Sequence, residues 1–451
     1  MESASGPGQV RDRYVDFLRV AAIGAVVFGH WLVTSLTYRD GGFAAANVLR
    51  DISWAPWVTW GFQVMPVFFL VGGFAAGYSW NGGGHAWNAG GRGRERGNGP
   101  QWLRRRAVRL LGPTTWYVIA ALVGMGVAET AGVPAGTLAL AGWAVALHLW
   151  FLPVYLLLTL LTPALSSLHR RYGLAVPVAM ALLGVAIDVL VINAHVKAVG
   201  WLNYPLVWGA AYQLGFGWQD GSLTRRRRTP LLIAGVGAAA FIALEWSGLF
   251  PVSLIGEQGQ QINNTAPPSV ALAAYGAAQL GALIAVAPLV SRWLRRDRVW
   301  HVIEVCNTGV MTVYLWQMLP VVLGGVLLYP TRWMPQPAVG SAEWWFLRPV
   351  WLAALALLLA PLIVVSHRIR RPAERSPVDA RTAPRGFPPL LWAATGLTSF
   401  ALARFAIAGF APDGRPPVEA VAVYAAGVLL VTVDVLLRRH DRLSSQPAAT
   451  A

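Results

Sequence analysis

Residues 14–36 read YVDFLRVAAIGAVVFGHWLVTSL, and from Phe17 onward the run is almost free of charge. At 1.5 Å per residue, positions 17–36 cover the roughly 30 Å of a bilayer's hydrocarbon core, so a membrane helix is predicted here. Two strongly polar groups interrupt it, Arg19 and His30, eleven positions apart. At about 100° per residue His30 returns to within roughly 20° of the Arg19 face, about 16 Å further along the axis. Ionisable groups inside a membrane usually face a protein interior or a wet cavity. The helix is therefore read as one wall of such a cavity, with Arg19 near one surface and His30 past the midplane. A competing reading has Arg19 snorkelling to the headgroups and His30 satisfied in the core.

Working outward, the whole chain shares this character. Hydrophobic residues make up 56% and charged residues 12%, with a mean hydropathy of +0.50. A soluble chain carries about twice that charge, which places this one among all-α polytopic membrane proteins. The net charge of +16 comes from 35 arginines and a single lysine, Lys197. Nucleic acid is not the implied partner, because the charge is sorted into alternate loops rather than gathered into one face. The lone cysteine, Cys306, excludes an internal disulfide. The apolar run after the polar N-terminus is too long for a signal-peptide core and lacks a small-residue cleavage site, so it is expected to stay as an anchor.

Twelve spans are predicted: 14–36, 57–80, 104–128, 138–165, 173–193, 201–219, 230–250, 268–291, 302–328, 344–366, 388–411 and 417–437. The fourth is expected to enter the membrane late, near Ala146, after an interfacial lead-in. Arginine fills alternate connections: Arg92 to Arg106, Arg170–Arg171, Arg225 to Arg228, Arg292 to Arg298 and Arg368 to Arg385. Under the positive-inside rule this register puts both termini in the cytoplasm of a cell-membrane protein. The expected organisation is a cytoplasmic tail (1–13), a ten-helix domain (14–367), an Arg/Pro-rich cytoplasmic linker (368–387), two additional helices (388–437) and a cytoplasmic tail (438–451). The Gly- and Arg-rich stretch between Asn81 and Gly99 is predicted to be a mobile cytoplasmic loop.

Several constellations can carry chemistry. Arg106 and Arg109, in QWLRRRAVRLLGP, lie i,i+3 on one helical face at its cytoplasmic start. Two guanidiniums on one face suit a phosphate. Taken alone, a topology signal with headgroup contacts is the simpler reading, because every cytoplasmic connection is arginine-rich. Near the outer ends of other spans stand His148, Asp188 followed by Asn193 and His195, Asn203, and Glu245. A carboxylate such as Asp188 among Val, Ile and Leu needs a partner or a cavity. The aromatic neighbours Trp150, Trp201 and Tyr204 fit an interfacial belt or a platform for sugar rings. The ninth span, HVIEVCNTGVMTVYLWQM, carries Glu304, Tyr314, Trp316 and Gln317. Glu304 fits either a surface ion pair or a group that orients a ligand. Neither zinc-ligand spacing nor a phosphate-binding glycine fingerprint is present.

These stretches together resemble the integral-membrane acyltransferase 3 family of bacterial type. The resemblance is carried by YVDFLRVAAIGAVVFGHW with its Arg19–His30 spacing, by FQVMPVFFLVGGFAAGYSW, by RRRAVRLLGP with Arg106 and Arg109, by LWFLPVYLLLTLLTP, and by MTVYLWQM. It covers roughly residues 10–370. The family often has a histidine after the late tryptophan, where this chain has Gln317. The final two spans are additional to the usual ten.

The resemblance implies an O-acyltransferase that moves an acyl group, in the first instance acetyl, from cytoplasmic acyl-CoA to a hydroxyl of a carbohydrate, lipid or natural-product acceptor. Modification of a cell-envelope polysaccharide is one such reaction. It implies acyl-CoA as donor substrate, no tightly bound cofactor and no metal. The CoA phosphates or pantetheine arm would meet Arg106, Arg109 and Arg19, with the thioester towards His30. His30 would serve as general base or as acyl carrier, since imidazole's ordinary pKa of about 6.5 suits both. His148, Asp188, Asn203, Glu304, Tyr314, Trp316 and Gln317 become supporting or acceptor-side candidates. Two other classes compete: a transporter of a lipid-linked sugar or small anion using the same polar cavity, and a catalytically silent membrane scaffold.

Overall fold

The computed structural model describes residues 12–81, 99–256, 262–370 and 389–444. It is 78% helical, which establishes the all-α class. α1 runs Arg13–Val33. Strands β1 (Thr34–Arg39) and β2 (Gly42–Asn47) follow as a hairpin, then the short α2 (Val48–Asp51), α3 (Ala55–Phe62) and α4 (Met65–Trp80). α5 (Gly99–Thr130) and α6 (Ala135–Ala146) lead through a 3-10 turn, Leu147–Trp150, into α7 (Phe151–Tyr172). Next come α8 (Ala175–Asn193), α9 (Asn203–Gln219), α10 (Arg228–Trp246) and α11 (Val270–Trp293). The chain closes with α12 (Asp297–Trp316), α13 (Leu319–Leu328), α14 (Ala342–Arg370), α15 (Pro389–Ala408) and α16 (Val418–Ser444).

Each of the twelve predicted segments falls on a helix. Among the described residues nine helical runs are long and apolar enough to cross a membrane, and the α12–α13 pair makes a tenth if counted as one span. α9 is shorter, at 17 residues, and the apolar part of α16 is confined to Val418–Thr432. The predicted loop between Asn81 and Gly99 and most of the linker 368–387 lie outside the described residues. So does residues 257–261 of the polar connection between α10 and α11.

Three segments depart from the reading as unbroken helices, each for a local reason. Thr34, Ser35 and Leu36, placed at the end of the first span, belong instead to β1. Asp40 and Gly41 both take positive φ, 50° and 79°, which is the backbone of a tight two-residue hairpin turn. The ninth span is bent by 60° between α12 and α13. Pro320 cannot donate to the Trp316 carbonyl four residues back and its ring collides with it. In the fourth segment helix runs from Ala135 to Ala146, and at Leu147 it tightens into the 3-10 turn. There Pro153 stands in the same relation to the Leu149 carbonyl.

The chain divides into two compact units. The first takes Met1–Val33, Asn47–Arg96 and Leu161–Met311, the second Thr34–Ala46, Gly97–Leu160 and Thr312–Ala451, each within the described residues. In the first unit α4 and α9 cross backbone to backbone. A Cβ on Gly73 would lie 1.9 Å from the Tyr212 carbonyl oxygen, and one on Gly215 would lie 2.2 Å from that of Leu70. Only hydrogen fits at either position, which is how membrane helices gain close packing without a hydrophobic drive. The Tyr14 hydroxyl donates to the Leu283 carbonyl at 2.7 Å and ties α1 to α11. The α3–α4 junction is sealed by the segment after α10: Trp60 Nε1 donates to the Val252 carbonyl at 2.8 Å and Gln63 Nε2 to that of Leu254 at 2.5 Å. In the second unit the base of the hairpin is fixed to α14. Trp344 Nε1 donates to Ser35 Oγ at 3.2 Å, and Arg348, stacked on the Trp344 ring, donates to the Thr34 carbonyl at 2.8 Å.

Candidate active site

In the first unit α1 is unbroken from Arg13 to Val33, so the register between Arg19 and His30 is that of a single helix. The helix is held at its start by Arg13, which donates to the Leu294 carbonyl at 3.0 Å and lies over the Trp300 ring. Arg19 is pinned from both sides. Its guanidinium pairs with Asp16 at 3.2 Å and donates to Asn307 Oδ1 on α12 at 3.3 Å. Glu304 stands one turn before Asn307 on the same helix. About a third of the Arg19 side chain stays exposed, at 31%, so donors remain for an anionic ligand. His30 is half-buried in the last turn of α1, where Phe28 stacks on Phe62 at 5.9 Å. Asp16 and Asn307 escaped the sequence reading. The i,i+3 spacing of Asp16 to Arg19 was the available signal for the first.

The arginines of α5 divide by depth. Arg106 is half-buried with its guanidinium over the Trp102 ring at 4.9 Å, and Arg109 is exposed. Arg104, which the sequence reading did not single out, is the buried one. Arg106 and Arg109 lie i,i+3 on the continuous α5 and so share a face.

Four of the acceptor-side candidates meet in the second unit. His148 sits in the 3-10 turn between α6 and α7 and is only 3% exposed. The Tyr314 hydroxyl, from the last turn of α12, donates to the His148 carbonyl at 2.7 Å. The same carbonyl accepts from the Phe151 N–H. Gln317, fully buried at the α12–α13 bend, donates back to the Tyr314 carbonyl at 3.2 Å. Tyr117 of α5 completes the group, with its ring edge-on to His148 at 5.7 Å and to Trp316 at 5.2 Å, and its hydroxyl bonded to the Val145 carbonyl. The Tyr314 hydroxyl thus ties the end of α12 to the irregular backbone of the 3-10 turn, where polar backbone away from water needs partners. Tyr117 is a residue that sequence reasoning missed. It lies two turns beyond Arg109 on α5, and nothing in the sequence shows which rings it meets.

Asp188 and Asn203 occur together elsewhere, in the first unit. Asp188 accepts from Asn203 Nδ2 through one oxygen and from the Val270 N–H through the other, both at 2.6 Å. The carboxylate therefore joins α8 and α9 to the N-terminus of α11, where negative charge is favoured. Asn193 and His195 are exposed. Neither oxygen of Glu245 has a hydrogen-bond partner among the described residues. A further pair was not anticipated: His169 Nε2 meets Asp220 Oδ2 at 3.0 Å, and the Ser222 N–H donates to the other oxygen at 2.9 Å. Burial alone would raise the Asp220 pKa. The hydrogen bonds from His169 and Ser222 outweigh it and hold the carboxyl below its ordinary range. Among the described residues no group of three or more His, Cys, Asp or Glu is placed to hold a metal ion.

A family model described as an acyltransferase domain matches residues 12–371. The chain belongs to this acyltransferase family. With its series of apolar helices it is a multi-pass membrane acyltransferase. The match opens just before α1 and spans Arg19, His30, the α5 arginines and both helix breaks. It ends before α15 and α16. Neither the comparison with curated proteins nor that with solved structures found a match.

Proposed function

We propose that this acyltransferase moves an acyl group, in the first instance acetyl, from cytoplasmic acyl-CoA to a hydroxyl of a carbohydrate, lipid or natural-product acceptor, with His30 as the proton-handling group. The observation that carries the reading is the unbroken α1, which keeps Arg19 and His30 on one face about 16 Å apart, with Arg19 held by Asp16 and Asn307. A neutral imidazole nitrogen of His30 takes the proton from the acceptor hydroxyl. The oxygen attacks the thioester carbonyl carbon, the C–S bond breaks, and the departing thiolate receives the proton from the imidazolium. Arg19 is assigned charge-assisted hydrogen bonds to the anionic donor, and Arg106 and Arg109 carry the same assignment on the family resemblance alone. The buried turn at His148, with Tyr314, Trp316 and Gln317, is assigned to the acceptor side, as are Asp188 and Asn203. Glu304 supports Arg19 through α12.

The deciding experiment incubates purified protein with radiolabelled acetyl-CoA and membrane extracts of polysaccharide and lipid, then follows the label. Label in an acceptor that is lost in His30→Gln supports the base role. Label retained on His30 itself replaces the base with an acyl-histidine route. Transport of a lipid-linked sugar without any acyl transfer would defeat the proposal. Both termini are assigned to the cytoplasm of the cell membrane on the alternation of arginine-rich connections. Reporter fusions after Ala266 and after Pro372 are expected to read outside and inside respectively, and the same reading from both would break that register.

A further inference from the structure

The last two helices lie beyond the family match, yet they are built into the second unit beside the His148 turn. The approach between α6 and the loop after α15 is made by two glycines. A Cβ on Gly142 would come within 2.8 Å of the Ala411 nitrogen, and one on Gly409 would come within 2.8 Å of that of Trp143. Gly409 also takes φ +84°, which disfavours any other residue there. Across this contact the Phe410 N–H donates to the Gly142 carbonyl at 3.2 Å. On the other flank the hydroxyls of Thr115 on α5 and Tyr424 on α16 meet at 3.0 Å.

The rings then form a continuous line. Phe405 and Phe410 are both fully buried, 4.9 Å apart between centroids. Phe410 meets Tyr117 at 6.4 Å, and Tyr117 meets His148 at 5.7 Å while its hydroxyl holds the Val145 carbonyl just ahead of the 3-10 turn. Phe405, by contrast, touches Phe410 and Tyr424. A 3-10 turn has weaker internal hydrogen bonding than the helices either side, so its geometry depends on what it packs against.

We propose that α15 and α16 are a positioning element, in which Phe410 and the Gly142–Gly409 approach hold Tyr117 against the His148 turn and so fix the acceptor side of the site. The catalytic consequence rests on the acyl-transfer reading; the positioning itself does not.

The test compares Phe410→Leu with Phe405→Leu in the full-length protein in detergent. Both substitutions remove a ring from the same buried cluster, but only the first breaks the line to Tyr117. Hydrogen–deuterium exchange of the peptide 143–152 is expected to speed up several-fold in Phe410→Leu and to stay close to wild type in Phe405→Leu. CoA release from acetyl-CoA is expected to show a lower kcat with unchanged KM for acetyl-CoA in Phe410→Leu. Phe410→Met, which refills the volume and keeps a sulfur–ring contact, should recover most of it. Should Phe410→Leu fail to insert, Thr115→Val serves instead, deleting the α5–α16 hydrogen bond without opening a cavity; faster exchange in 143–152 is again expected. Equal exchange in the Phe410 and Phe405 variants, or unchanged exchange in Phe410→Leu, overturns the positioning role. Wild-type protein that releases no CoA, alongside the expected exchange difference, overturns the acyl-transfer reading and leaves the positioning role standing.

Discussion

His30 and His148 are the same residue in opposite settings. His30 rides an unbroken helix, half-buried, and its relation to Arg19 is set by helical register alone. His148 sits where a helix is interrupted, almost wholly buried, and its surroundings arrive from α5 and α12. The first arrangement is rigid because of what lies beside it in sequence. The second is rigid only because distant segments close around it. Chemistry that needs a fixed separation from an anion site suits the former, and recognition that needs several walls suits the latter.

The sharpest way to break this contrast is His30→Gln. It keeps hydrogen-bonding capacity but cannot take up a proton at neutral pH, so acyl transfer should fall by about 10²–10⁴-fold while insertion and acyl-CoA binding persist. Near-wild-type turnover would make His30 a structural histidine and shift attention to His148. Next in size is the donor side. Arg106→Ala and Arg109→Ala should each weaken acyl-CoA binding by on the order of 1.5–3 kcal/mol, measured by titration calorimetry. Arg226→Ala and Arg227→Ala, in an exposed run, are the control. Equal effects would reduce the α5 arginines to a topology signal.

On the interrupted side, Tyr314→Phe deletes the hydroxyl that holds the His148 carbonyl. The Phe151 N–H still occupies that oxygen, so the expected loss is about 0.5–1.5 kcal/mol, seen as a Tm lower by a few degrees. An unaltered melting curve would mean the two breaks do not lean on one another. The smallest effect concerns the contact between the C-terminal ends of α7 and α9. Because Asp220 titrates below its ordinary range, its contribution is complete above the ordinary carboxylate pKa of about 3.9 and is lost as the pH falls through the folded value. Thermal melts between about pH 5 and pH 3 should therefore fall less steeply for Asp220→Asn than for the wild type. Parallel curves would show that the His169–Asp220 contact does not contribute.

The same contrast explains what was legible in advance. Helices at all twelve positions followed from apolar runs punctuated by Gly, Pro and Arg, because that pattern is local. Arg19 and His30 were legible for the same reason. The breaks were half visible: Pro153 and Pro320 are in plain view, but a proline inside an apolar run marks a kink without saying what the freed carbonyl will find. That Leu147–Trp150 would tighten, and that Tyr314 would reach His148, depends on residues 166 positions apart. Asp-Gly at 40–41 is the dipeptide of a two-residue hairpin turn and lay in the connection after the first span, while Thr34–Leu36 of β1 was absorbed into that span. Asp188 shows the limit from the other side. Its need for partners was foreseen, while their identity, Asn203 and the N-terminus of α11, came only from packing.

The glycine contact between α4 and α9 has a consequence for how the protein is made. Gly237 and Gly281 bring α10 and α11 together in the same manner, but those helices are neighbours in sequence and can leave the ribosome as one hairpin. α4 has no such neighbour. Its partner surface at Gly215 is synthesised about 140 residues after Gly73, which at elongation rates of about 5–20 residues per second is a delay of roughly 7–28 s. Throughout that interval the backbone groove of α4 at Gly73 lacks the surface it packs on in the finished fold. Biogenesis, rather than the finished fold, is where this crossing is most exposed to error.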